Sequence, residues 1–263
     1  MKELLFSILL LTTVLGCQNE NDGTKNSVNL NKINTSVSTN TEIVKKDTIL
    51  LLDDFTKGIS ENELIKLYNI KKYDPQVLNI EQNNEFINPE FIITNKQFYK
   101  RGEDCFILSV LGLQLDGGSH FETGPSYIAC FKLVNDEWRL VNKPFKVEGS
   151  SMWGNCDEVK KVEKFGENVI CVSLEGGQGN QGFMEGVIRY YGLNDKNEIK
   201  LIFSGISYSN DGGAGGDTDD EYVYKFKPSN SSKYYLLEMK KKSNNRLVKS
   251  QLFKFNEKSM IYE

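Results

Sequence analysis

Three stretches of this chain repeat one order of apolar runs and turns, and this repetition restricts the fold more than any single motif. VLGLQLDGG followed by SYIACFKLVNDEWRLV matches NVICVSLEGG followed by GVIRYYGLNDKNEIKLIF. Both match KYYLLEMKKK followed by LVKSQLFKFNEKSMIY. The turn residues Asn135-Asp136, Asn194-Asp195 and Asn256-Glu257 are 59 and 62 residues apart, and the pairs Gly117-Gly118 and Gly176-Gly177 are also 59 apart. A recurring strand pattern at a fixed period is the signature of one supersecondary unit used several times.

Each unit reads as four strands. In the second they fall at 158–165, 169–175, 186–193 and 198–204. Ile199, Leu201 and Phe203 alternate with Glu198, Lys200 and Ile202, as a half-exposed strand requires. Tyr222, Tyr224 and Phe226 keep the same period of two in the third unit. The strand at 169–175 is apolar almost throughout, which predicts cover on both faces. The expected fold is all-β: four-stranded antiparallel meanders over 90–147, 157–205 and 220–263, in one domain spanning 41–263. Meanders placed end to end resemble β-propeller blades. No Trp-Asp blade motif is present, and a curved β-sandwich built from the same hairpins is the competing layout.

One short helix is expected at 60–70. Ser60 as N-cap with Glu63 three residues on forms a capping box, and Leu64, Ile65, Leu67 and Tyr68 share a face. The apolar share of 39% is enough to build a core. The net charge of −4 argues against a nucleic-acid partner. Cys105, Cys130, Cys156 and Cys171 lack zinc-site spacing, and their places in the hairpins are out of register for opposed disulfides, so they are expected as mostly free, buried thiols.

In a meander, successive connections alternate between the two ends of the sheet. The connections near 101–104, 135–137, 166–168, 194–197, 229–232 and 256–258 are short. Those at 116–126, 147–158, 176–186 and 206–221 are long and Gly-rich, and chain parity puts all four at one end. Loops on a rigid scaffold are where binding residues collect. His120, Glu122, Trp153, Asn155, Gln178, Asn180 and Phe183 are therefore the candidate binding residues. Asp211, Asp217, Asp219 and Asp220 are oxygen donors of the kind calcium takes, although the segment lacks the glycine and the final glutamate of an EF-hand loop. Calcium is the one cofactor the sequence suggests, and a solvated acidic turn is the competing reading.

No catalytic set is visible. There is no Gly-x-Ser-x-Gly elbow and no His-Glu-x-x-His, and the Gly-rich 176–179 lacks the lysine of a phosphate loop. A glycan-acting or other hydrolytic enzyme using acidic rim residues is the alternative to a binding module.

The N-terminus adds a location. Met1 and Lys2 precede an apolar run from Leu4 to Leu15, and Val14-Leu15-Gly16-Cys17 follows as a lipobox. The run is too short to span a bilayer as a helix. The chain thus resembles a bacterial lipoprotein. The resemblance covers residues 1–17 and implies removal of 1–16, lipid on Cys17 and attachment to a membrane. Gln18 rather than Asp follows the cysteine, which implies the outer membrane of a Gram-negative cell. Residues 17–40 read as a polar tether, poor in large apolar side chains. The combined expectation is a lipid-anchored envelope protein that binds or inhibits an envelope protein or glycan, without catalysis.

Overall fold

A computed structural model describes residues 48–53, 55–56, 58–77, 88–180, 183–211 and 218–263. Residues 1–47, with Cys17 and the segment 17–40 read as a tether, lie outside the described residues, as does Asp217. Among the described residues no helix is long and apolar enough to cross a membrane.

The fold is all-β and antiparallel, with one short helix and one further helical turn. The first sheet contains β1 (Ile49–Leu52), β2 (Asn88–Arg101), β3 (Asp104–Asp116), β4 (Ser126–Val134), β5 (Glu137–Leu140) and β6 (Phe145–Val147). β5 and β6 both pair with β4, so the fourth strand of this unit is one strand interrupted between Leu140 and Phe145. The second sheet runs in chain order through β7 (Glu158–Lys164), β8 (Ile170–Asn180), β9 (Phe183–Leu193), β10 (Ile199–Asn210), β11 (Asp219–Lys227), β12 (Leu236–Ser243) and β13 (Arg246–Phe253). A small hairpin, β14 (Phe255–Asn256) with β15 (Ile261–Tyr262), ends the chain.

The propeller expectation is corrected here. Separate blades would leave β10 and β11 unpaired, whereas Tyr208, Ser209 and Asn210 pair with Glu221, Asp220 and Asp219. The second and third units are thus one seven-stranded sheet, packed on the first as a curved sandwich. Ile170, Val172, Leu174, Tyr191 and Leu193 meet Phe106, Leu108, Val110, Ile128 and Cys130 between the sheets. The strand at 169–175 is covered on both faces as expected: Val169 and Cys171 point the other way, into a second core. The larger sheet coils around that core without closing into a barrel. Tyr235 N–H donates to Phe165 O at 2.8 Å and Glu167 N–H to Lys233 O at 3.1 Å, while β7 and β13 remain its two edges.

The outer face of the first sheet is covered by α1 (Glu61–Tyr68) and the turn α2 (Ile70–Tyr73). Ser60 and Glu63 form the expected capping box, and Asn69 in the left-handed region ends the helix. Leu64 and Tyr68 are the buried pair, with Tyr68 edge-on to Phe131 at 5.2 Å. All four described cysteines are free, Cys130 and Cys171 fully buried. Burial pushes the Cys130 thiol up to about 11 and the Cys171 thiol well above the usual thiol value, as expected of cysteines that act as small apolar residues.

Candidate functional site

The two ends of the sandwich differ. At one end the sheets are latched by side chains. Arg101 donates to Asp195 O at 2.9 Å, Asn197 Oδ1 at 3.1 Å and Asn194 O at 3.4 Å. Asn142 Nδ2 donates to Asn197 O at 2.9 Å. At the other end the loops that follow β3 and β6 and the tip of β8 and β9 enclose a cleft of about 350 Å³.

Three of the four expected loops meet at that cleft. From 116–126 come His120, Phe121 and Thr123, and from 147–158 come Ser150, Ser151 and Met152. Gly177, Gln178, Phe183 and Glu185 complete it with Val187 and Arg189 of β9. The first two segments are true loops, fastened to each other by backbone bonds. Gly154 N–H donates to Glu122 O at 2.8 Å, Gly124 N–H to Asn155 O at 2.9 Å, and Leu115 N–H to Gly154 O at 2.9 Å.

The segments at 176–186 and 206–221 are not the long loops expected from their glycines. β8 continues to Asn180, opposite Phe183 of β9, so the first is the tip of a long hairpin. β10 and β11 likewise extend to Asn210 and Asp219. The glycines serve close approach within strands. A Cβ on Gly176 would lie 2.2 Å from Ser150 Oγ and 2.3 Å from Asp157 Oδ1, and one on Gly186 would lie 2.5 Å from Ser207 Oγ.

Beneath the cleft lies a polar knot that the sequence reading missed. Asp157 is fully buried. Its Oδ1 accepts from the backbone N–H groups of Ser150 at 2.7 Å and Ser151 at 3.1 Å, and from Ser151 Oγ at 3.2 Å. Arg189 Nη1 donates to Asp157 Oδ2 at 3.1 Å and to Ser150 Oγ at 2.9 Å. A buried carboxylate with this many donors is fully satisfied and fixes the loop to the sheet. The available signal was Arg189 itself: in Val187-Ile188-Arg189-Tyr190-Tyr191 it shares a strand face with Val187 and with Tyr191, a core residue. A charged residue on a core face needs a partner.

The rim is apolar and exposed. Phe121 is 85% exposed, Trp153 58% and Phe183 46%, while the exposed Met184 stands on the opposite face of β9. The His120 ring lies 5.2 Å from Phe121 and 4.8 Å from Trp153, and its buried Nδ1 has no hydrogen-bond partner among the described residues. Trp153 has φ +62, a left-handed conformation costly for a bulky side chain. Gly179 N–H donates to Met152 Sδ at 3.2 Å and ties the loop to the hairpin.

No protein-family model, curated protein or solved structure matches the chain. The site therefore rests on its own geometry.

The candidate residues divide into two groups. His120, Gln178 and Phe183 line the cleft, and Trp153 backs His120. Glu122 and Asn155 are fasteners. Glu122 accepts from Ser119 N–H, and Asn155 donates to Met152 O at 2.9 Å while accepting from Gln114 at 3.1 Å. Asn180 stands opposite Phe183 in the ladder. The acidic candidates are dispersed among other partners. Asp220 pairs with Lys241 at 2.6 Å, Asp219 accepts from Tyr208 at 3.0 Å and from Asn210, and Asp211 accepts from Thr218 Oγ1 at 3.1 Å. Among the described residues no three His, Cys, Asp or Glu converge as a metal site.

Proposed function

We propose that this chain is an envelope lipoprotein, held to a membrane through lipid on Cys17, whose folded part is a binding module working through the open end of the sandwich. The lipobox and the polar segment behind it support the anchor. The observation that carries the binding reading is the group of Phe121, Trp153 and Phe183, all exposed, at a cleft whose floor is locked by Asp157. Exposed aromatic side chains gathered on one surface mark interaction sites, and a rigid base lowers the ordering cost of binding. The same features support binding over catalysis. Asp157 and Ser150 are spent on holding each other and Arg189, and the His120 ring is packed between loop aromatics rather than beside a nucleophile.

The test uses the full chain in its own membrane, with a photo-cross-linking residue placed at 121 or, at the latched end, at 197. Adducts with an envelope component at 121 and none at 197 are expected. Equal labelling at both, or none at either, refutes the reading. Cys17→Ala should release the chain from the membrane or stop its processing.

A further inference from the structure

We infer that the cleft takes a short neutral saccharide, its ring lying against Phe121, His120 and Phe183 and its hydroxyls bonded to Arg189 and Glu185. This rests on the binding-module reading and names the ligand class.

The cleft offers both donors and acceptors. Arg189 uses only Nη1 within the protein, and its Nη2 and Nε make no hydrogen bond to a described residue. The side chain is about a quarter exposed, so part of its planar fork faces the cleft. Such a fork suits two adjacent oxygen atoms. The Glu185 carboxylate lines the same cleft and makes no hydrogen bond or ion pair to a described residue, so it can accept from hydroxyls. Vicinal hydroxyl groups, each donor and acceptor, satisfy both. The apolar C–H face of a sugar ring suits the electron-rich faces of Phe121 and Phe183.

Charge excludes an anion. The guanidinium is already compensated by Asp157 at 3.1 Å, and Glu185 leaves the cleft with a net negative charge. A cation would meet the aromatic rings and Glu185 favourably but would face the free Arg189 donors. A peptide adding as a strand along the tip of β8 is obstructed, because Met152 already takes the Gly179 N–H. The volume, about 350 Å³, suits a small ligand rather than a protein segment.

The experiment is calorimetric titration of the full chain, held in a detergent without sugar headgroups. The probes are glucose, mannose and N-acetylglucosamine oligomers, with an oligogalacturonate as the anionic probe. Saturable binding of at least one neutral series is expected, with the oligogalacturonate at least about tenfold weaker. Phe121→Ala, Glu185→Gln and Arg189→Lys should each weaken binding by about tenfold or more. The lysine variant keeps a positive charge beside Asp157 and removes only the fork, so an unchanged melting temperature with lost binding separates recognition from folding. Tighter binding of the oligogalacturonate, or neutral binding indifferent to all three variants, overturns the inference. If no sugar binds while position 121 still cross-links to an envelope protein, the saccharide inference falls and the binding module stands. If neither occurs, both fall.

Discussion

Asp157 and Arg189 set the behaviour of the site at the scale of single residues. The carboxylate has no contact with water and collects backbone and hydroxyl donors from Ser150 and Ser151 together with the guanidinium. Asp157→Ala would strand the guanidinium and leave those N–H groups unpaired. Removing one partner of such a pair costs about 3–5 kcal/mol. In a domain of this size that lowers Tm by about 6–20 °C. Adding Arg189→Met to Asp157→Ala should recover part of the loss, since the stranded charge goes too. A thermal melt of both variants decides it, and a double variant no more stable than the single one would show that the charge was not the cause. These residues were hard to find in the sequence for a physical reason. Arg189 on a core face asks for a partner, but nothing in Cys156-Asp157-Glu158 marks Asp157 as that partner until the fold brings them together across 32 positions. His120 and Trp153 were legible because a bulky side chain in a Gly-rich loop has no strand face to hide in, and Phe183 because it stands at the very tip of a hairpin.

At the scale of elements, strand order and the helix were legible and the strand ends were not. The turns at Asn135-Asp136 and Asn244-Asn245 both take positive φ, which asparagine and aspartate tolerate and tight hairpins require. Gly-rich segments at the cleft read as loops because glycine usually breaks strands, yet Gly176 and Gly186 lie within long ones where a side chain would collide. The helix layer is fastened by Asp74 at the end of α2. Its Oδ2 accepts from Tyr127 Oη at 2.9 Å and pairs with Lys146 at 3.0 Å. Burial alone would raise this carboxyl, but the bonds from Lys146 and Tyr127 outweigh it and hold the group below the usual carboxylate value. A depressed folded pKa gives stability that is present above about pH 4 and lost as pH falls through the lower folded value. Asp74→Asn mimics the protonated form. The Tm gap between wild type and Asp74→Asn should therefore be widest near pH 6 and shrink toward pH 2.5. A gap independent of pH would assign the loss to packing instead of charge.

At the scale of the molecule, the division into two ends follows from chain parity, which explains why it survived the error about propeller and sandwich. Counting strands fixes which connections share an end regardless of whether neighbouring meanders separate or fuse. Parity could not tell whether either end was open, because that depends on side chains crossing between the sheets. Arg101 crosses at one end, reaching the carbonyls of Asn194 and Asp195 while its guanidinium lies 5.8 Å from the Phe106 ring. The cleft end has the Asp157 knot beneath it and aromatic side chains above, and its loop is tied to the β8–β9 hairpin by the Gly179–Met152 bond. Stability and binding should consequently dissociate along the sandwich. Arg101→Ala removes the bonds to the 194–197 turn and should cost about 2 kcal/mol. It should leave cross-linking from position 121 and saccharide affinity unchanged. Phe121→Ala exposes no core and should leave Tm in place while weakening saccharide binding by about tenfold or more. Melting curves and titrations on the two variants provide the comparison. If Arg101→Ala weakens binding as strongly as Phe121→Ala does, the spacing of the sheets at the latch controls the cleft, and the two ends act as one device.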